Sequence, residues 1–133
     1  MRSIALLASI VVLMPQVATA HIVRHRSIPQ PYQGTWAADA ASCAPEKGAI
    51  VLAAKTYVGP SGSCTVVYVD ETAGPQGAIF SVRMLCSDAA GGAKKSDANL
   101  IIRPDKDRIS LGPTFGTLIA HQRCPLKGAD AKD

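Results

Sequence analysis

Aromatic residues are scarce in this chain, at 5% of the total with a single tryptophan. That leaves no stacking platform for single-stranded nucleic acid, which needs repeated aromatic faces along a basic groove. An excess of one charge is also lacking. Against 10 Asp+Glu stand 14 Lys+Arg, and the net charge of +4 is too even a mixture for a dedicated nucleic-acid binder. After residue 20 no apolar run approaches the length of about 20 residues that a membrane span takes. No glycine-rich phosphate loop follows a strand-like stretch and opens a helix, and no serine sits in a G-x-S-x-G. With 133 residues the chain holds one small domain at most, since a single core usually serves about 100–200 residues. Its 47% hydrophobic content overstates the core, because much of that is alanine and much of the rest lies in residues 1–20.

What is present begins with the layout of a secretory signal. Arg2 supplies a positive start, residues 4–14 form an apolar run, and Ala18-Thr19-Ala20 offers small residues to a signal peptidase. The run is too short to span a bilayer, and nothing past Met14 extends it into an anchor. Cleavage is expected between Ala20 and His21, with no cysteine at the cut to carry lipid. The expectation is an exported protein, periplasmic or secreted, without a membrane span once the signal is gone. Its organisation reads as signal peptide 1–20, extended N-terminal arm 21–32, β-barrel domain 33–124 and flexible tail 125–133.

Export changes what the cysteines mean. Cys43, Cys64, Cys86 and Cys124 are an even set in a small chain bound for an oxidising compartment, which reads as two disulfides. A metal site is the alternative, but zinc ligands usually come in close pairs such as C-x2-C, and these four are widely spaced.

From Gly34 onward the chain breaks about every eight to twelve residues at Gly, Pro, Asp or Ser, a spacing typical of all-β sandwiches and barrels. Candidate strands are 33–37, 49–57, 64–70, 79–86, 99–103, 108–111 and 115–123, with a short helical turn over 38–42. Around Pro104-Asp105-Lys106-Asp107, a constant register would pair Ile102 with Ile109 and Leu100 with Leu111 on one apolar face. It would set Arg103 opposite Arg108 and Ile101 opposite Ser110 on the other face. A turn through 72–77 would set Cys64 opposite Cys86, Val66 opposite Met84 and Tyr68 opposite Val82, all on one face with Phe80. Opposed positions lie close enough for a cross-strand disulfide. Up-and-down alternation then leaves Cys43 and Cys124 at the other end, so the expected bridges are Cys64–Cys86 and Cys43–Cys124. A bend through 44–48 would instead give Cys43–Cys64 with Cys86–Cys124. The fold expected is a small antiparallel meander β-barrel of seven to eight strands with two disulfides. A Cys43–Cys124 bridge would tie its first strand to its last, as closure requires.

Gly34-Thr35-Trp36 follows the arm and opens the first candidate strand. This G-x-W resembles the opening of lipocalin-type barrels, where the indole plugs one end, which makes Gly34 and Trp36 structural by implication. Leader, G-x-W, a cysteine soon after, two mid-chain cysteines and a closing Arg123-Cys124 together resemble small exported bacterial proteins that mostly lack an assigned activity. The start is also similar to periplasmic inhibitors of bacterial zinc metalloproteases, small barrels whose N-terminal arm enters the protease cleft. That likeness implies an arm at 21–30 and a framework of Gly34, Trp36 and Cys43. The chain departs from those inhibitors in having four cysteines instead of two and a bulky His21 at the arm's start.

The arm carries the candidate binding residues His21, Arg24 and His25. A mature chain beginning at His21 would offer an amine and an imidazole, a pair that suits copper, but His25 on the arm has no visible support as a further ligand. A solvated basic start is the plainer expectation, so no metal or cofactor is assigned. His121 is the sole histidine of the expected domain, and Ser61 sits in a turn, yet nothing in the sequence joins them to an orienting acid. Asp105 and Asp107 lack the glycine and distal glutamate of a calcium loop. Asp70-Glu71 have no second carboxylate set by spacing to share acid–base work. Lys94-Lys95, Arg103, Lys106 and Arg108 alternate with aspartates, as on a solvated rim. The expectation is a non-catalytic binding module for a protein or small ligand of the cell envelope. Copper binding at the N-terminus and an unrecognised hydrolase using His121 stand as alternatives.

Overall fold

The computed structural model describes residues 11–16, 21–60, 62–74, 77–87 and 95–125. The expected cleavage site at 18–20, Ser61, Lys94 and all of the expected tail after Pro125 lie outside the described residues. Among the described residues no helix is long and apolar enough to cross a membrane.

Nine strands are described: β1 (Ile22–His25), β2 (Gly34–Ala37), β3 (Ile50–Leu52), β4 (Thr56–Gly59), β5 (Gly62–Gly74), β6 (Gly77–Ser87), β7 (Lys95–Asp105), β8 (Arg108–Gly112) and β9 (Ile119–Arg123). β2 to β9 follow one another round an eight-strand antiparallel meander barrel, closed where β9 pairs β2. β1 is an extra strand. Residues 62–65 of β5 pair with β4, and residues 69–72 of the same edge pair with β1.

Alternation explains which side chains fill the barrel. Cys64, Val66 and Val69 of β5, Phe80, Val82 and Met84 of β6, Leu100 and Ile102 of β7, and Ile109 and Leu111 of β8 are all buried in one cluster. Eight strands enclose an interior just wide enough for such side chains. Each fully buried aliphatic contributes roughly 1.5–3 kcal/mol, and Leu52, Val69, Val82 and Ile102 are shielded almost completely.

Both disulfides join the expected partners. Cys64–Cys86 spans the β5–β6 ladder with a Cα–Cα separation of 3.9 Å. Cys43–Cys124 links the segment after β2 to the end of β9 with a Cα–Cα separation of 5.7 Å, beside a hydrogen bond of 2.8 Å from the Cys124 N–H to the Thr35 carbonyl.

Several details differ from the sequence reading. The stretch 49–57 is two strands, β3 and β4, joined through 53–55 with a hydrogen bond of 2.9 Å from the Ala53 N–H to the Thr56 carbonyl. The β5–β6 register starts as expected at Cys64–Cys86 and Val66–Met84, then a bulge at Val67 puts Tyr68 opposite Arg83 and Val69 opposite Val82. One extra residue reverses the facing of everything after it, so Val69 takes the core position expected of Tyr68. The β7–β8 hairpin pairs Ile102 with Leu111 and Pro104 with Ile109, closing on a two-residue turn at Lys106-Asp107. Short turns match the twist of paired strands better than a four-residue loop. Pro104 is tolerated because the β6 ladder ends at Ile102, leaving no neighbour to miss its N–H. The shift moves the ladder by two, so Leu100, Ile102, Ile109 and Leu111 keep the expected shared face. The 115–123 stretch is strand only from Ile119, with a 3-10 turn at Phe115–Thr117 before it. The turn expected over 38–42 is a 3-10 turn at Ala40–Ser42.

Candidate binding site at the strapped end of the barrel

Antiparallel alternation gathers the β3–β4, β5–β6 and β7–β8 connections at one end of the barrel, with the start of β2. The segment between β1 and β2 crosses that end as a strap. Ile28 has 0% exposure and plugs the interior, and its N–H donates to the Ala54 carbonyl at 2.9 Å. The Lys55 ammonium donates to the Arg26 carbonyl. A 3-10 turn at Gln30–Tyr32 with prolines at its start then aims the chain into β2.

The strap is locked where the barrel closes. Trp36 has 2% exposure, and its indole N–H donates to the Tyr32 carbonyl at 3.0 Å. The Arg123 guanidinium lies 4.4 Å from the centre of the indole ring and donates to the Gln33 and Pro31 carbonyls at 2.8 and 2.6 Å. Gly34 makes room for it. Its φ of 135° disfavours any side chain, and a Cβ there would lie 2.6 Å from an Arg123 nitrogen.

β1 brings the arm's candidate residues onto the β5–β6 hairpin. Arg24 makes a two-pronged ion pair with Asp70 at 2.7 and 2.9 Å, and its guanidinium lies 3.9 Å from the centre of the Tyr68 ring. The bulge at Val67 is what turns Tyr68 outward to meet it. Hydrogen bonding from Arg24, reinforced by its charge, holds the Asp70 carboxyl below the usual carboxylate range, and the same bond raises Arg24. His25 faces the barrel side of β1, with Nε2 2.7 Å from a Glu71 carboxylate oxygen. Its ring sits 6.4 Å from Phe80, which packs 4.9 Å from Tyr32. Burial, with a smaller contribution from the Glu71 charge, raises the Tyr32 phenol. His21 lines a recess of about 300 Å³ with Val23, Glu71, Ala73, Gly74, Gly77 and Ala78.

The arm is therefore extended but docked, and its three candidate residues take different roles. Arg24 lies on the outer face, while His25 and His21 stand at opposite ends of the other. Among the described residues no group of three or more His, Cys, Asp or Glu stands close enough to hold a metal. His121 is nearly buried, and its Nδ1 is 2.7 Å from the Ile119 carbonyl, a bond that orients the ring toward its own strand. Asp105 and Asp107 flank the Lys106 side of the β7–β8 turn. Sequence reasoning missed Asp70 and Glu71 as partners of the arm. The signal was there in a basic Arg24 beside His25 and an acidic Asp70-Glu71 pair, which an antiparallel pairing brings together. No family model, curated protein or solved structure matches this chain.

Proposed function

We propose that this protein is a non-catalytic exported binding module that recognises a protein partner of the cell envelope through β1 and the β5–β6 hairpin. The observation that supports this most is the setting of β1. It is pinned to β5 through Arg24–Asp70 and His25–Glu71, it exposes Ile22 and Val23, and among the described residues no strand pairs its other edge. Such an edge offers unpaired backbone donors and acceptors to an extended segment of a partner. The side-chain-filled interior favours contact on the outside over an enclosed ligand. Two disulfides accord with an oxidising compartment. The metalloprotease-inhibitor version of this reading places the partner's cleft over β1 and His21, with the arm held as a strand during contact.

The test is capture from envelope extracts with oxidised protein beginning at His21 as bait. A partner retained by the native chain and lost on Ile22→Asp, or on removal of residues 21–25, supports the reading. Capture that ignores both changes overturns it. A second reading, copper uptake at the mature N-terminus, draws on His21 and Glu71 lining the same recess. It requires stoichiometric copper binding that disappears when one residue is added before His21.

A further inference from the structure

A second recess lies on the opposite side of the strap, between it and the β7–β8 turn. Its volume is about 410 Å³, within the range of small-ligand sites. Pro31, Tyr32, Trp36, Pro104 and Ile109 give it apolar walls, and Lys106, Arg108 and Arg123 supply cations against the one carboxylate of Asp107. Among the described residues none of those three cations forms an ion pair. Arg123 is held rigid by the indole and two carbonyls, so its position is set before any ligand arrives.

The rim also carries a conformational oddity. Lys106 has φ of 56°, the only positive value at a non-glycine among the described residues. Two-residue turns needing such a φ normally recruit Gly or Asn, and a lysine there is strained. Backbone strain of this kind collects at ligand sites, and Lys106 is one of the residues lining the recess.

We infer that this recess binds an organic carboxylate, its apolar body against Tyr32, Pro31 and Pro104 and its charge between Lys106, Arg108 and Arg123. The carboxylate belongs to a small free acid or to the C-terminus of a peptide, and the two share this chemistry. The site uses no part of β1, so its failure leaves the partner reading untouched.

Trp36 is the only tryptophan in the chain and lines the recess, so its emission reports occupancy directly. Oxidised protein is titrated with phenylacetate, phenylacetamide, and the peptide Ala-Ala-Ala-Phe as free acid and as C-terminal amide. A saturable change with a free acid, at least tenfold weaker for its amide and weakened by salt, supports the proposal. Which of the two acids binds tighter identifies the source. Arg108→Gln should weaken binding severalfold. Lys106→Gly is the decisive variant, because it should raise the thermal midpoint by relieving the backbone while weakening binding severalfold. Equal binding of acid and amide, unchanged binding by Lys106→Gly, or no saturable response in Trp36 emission and amide chemical shifts overturns the proposal.

Discussion

β5, β6 and β7 run for 13, 11 and 11 residues, whereas β2, β3 and β4 run for four, three and four. The long flank is held by its own ladders, running from Gly74–Gly77 down to Ser63–Ser87 with one interruption at the Val67 bulge, and on into β7. The short flank closes on β9 through only Trp36–Arg123 and Ala37–Gln122. What it lacks in backbone pairing it recovers through side chains: the indole under Arg123, Ile28 in the interior and the Cys43–Cys124 bridge. A thinly paired seam is thus secured by side chains, while the long flank adds the Cys64–Cys86 bridge to ladders that already hold it. The presented strand β1 instead rides on the flank that least needs help.

The largest expected effect tests that contrast through the bridges. Replacing Cys43 and Cys124 by serine opens a loop of 81 residues, and chain entropy puts the loss at about 4–5 kcal/mol. Replacing Cys64 and Cys86 opens one of 22 residues, for about 3 kcal/mol. Urea unfolding of both doubles should rank them in that order, and the reverse ranking breaks the comparison. Next comes Ile28→Ala, expected to cost about 2–4 kcal/mol because the plug is fully shielded. Hydrogen exchange should show faster exchange at 22–25 than at β6, which would localise the effect to the strap.

Arg123→Met keeps much of the apolar stem but removes the charge on the indole and two carbonyl bonds, for about 1–2 kcal/mol. Arg123→Lys should recover little of it, since an ammonium cannot span both carbonyls. Thermal midpoints with Trp36 emission check both. The smallest effect is on the long flank and depends on pH. Arg24 lowers the Asp70 carboxyl in the folded state, so the folded protein binds that proton less readily than the unfolded chain. The stabilisation is complete above the ordinary carboxylate range and is lost as pH falls through the lowered value. Asp70→Asn should therefore reduce stability near neutrality and converge with the native chain in acid, as read from urea midpoints across that range.

Which parts of this arrangement the sequence announces depends on the kind of signal each carries. Faces are legible because alternation survives small errors: the β7–β8 ladder is displaced by two, yet Ile102 and Leu111 stay inside. The bridges are legible because opposed cysteines and an even thiol count constrain one another. The Val67 bulge has no such mark, since Val66, Val67, Tyr68 and Val69 all suit a strand on either face. The break at 53–55 is equally silent, for Ala53-Ala54-Lys55 contains none of the usual turn residues. At the site, Gly34 and Trp36 stand out by type. The pairing of Arg24 with Asp70 spans 46 positions and becomes visible only once the arm is given a strand to lie on.

The docking of β1 also dictates an order of assembly. Its only strand partner among the described residues is the far half of β5, so its landing site does not exist until that hairpin has zipped. β1 then docks after that hairpin forms, and faster hydrogen exchange at 22–25 than in β6 would mark it as a unit that opens on its own. Its departure would also withdraw Ile28, uncovering apolar interior at one mouth while the ring itself stays intact.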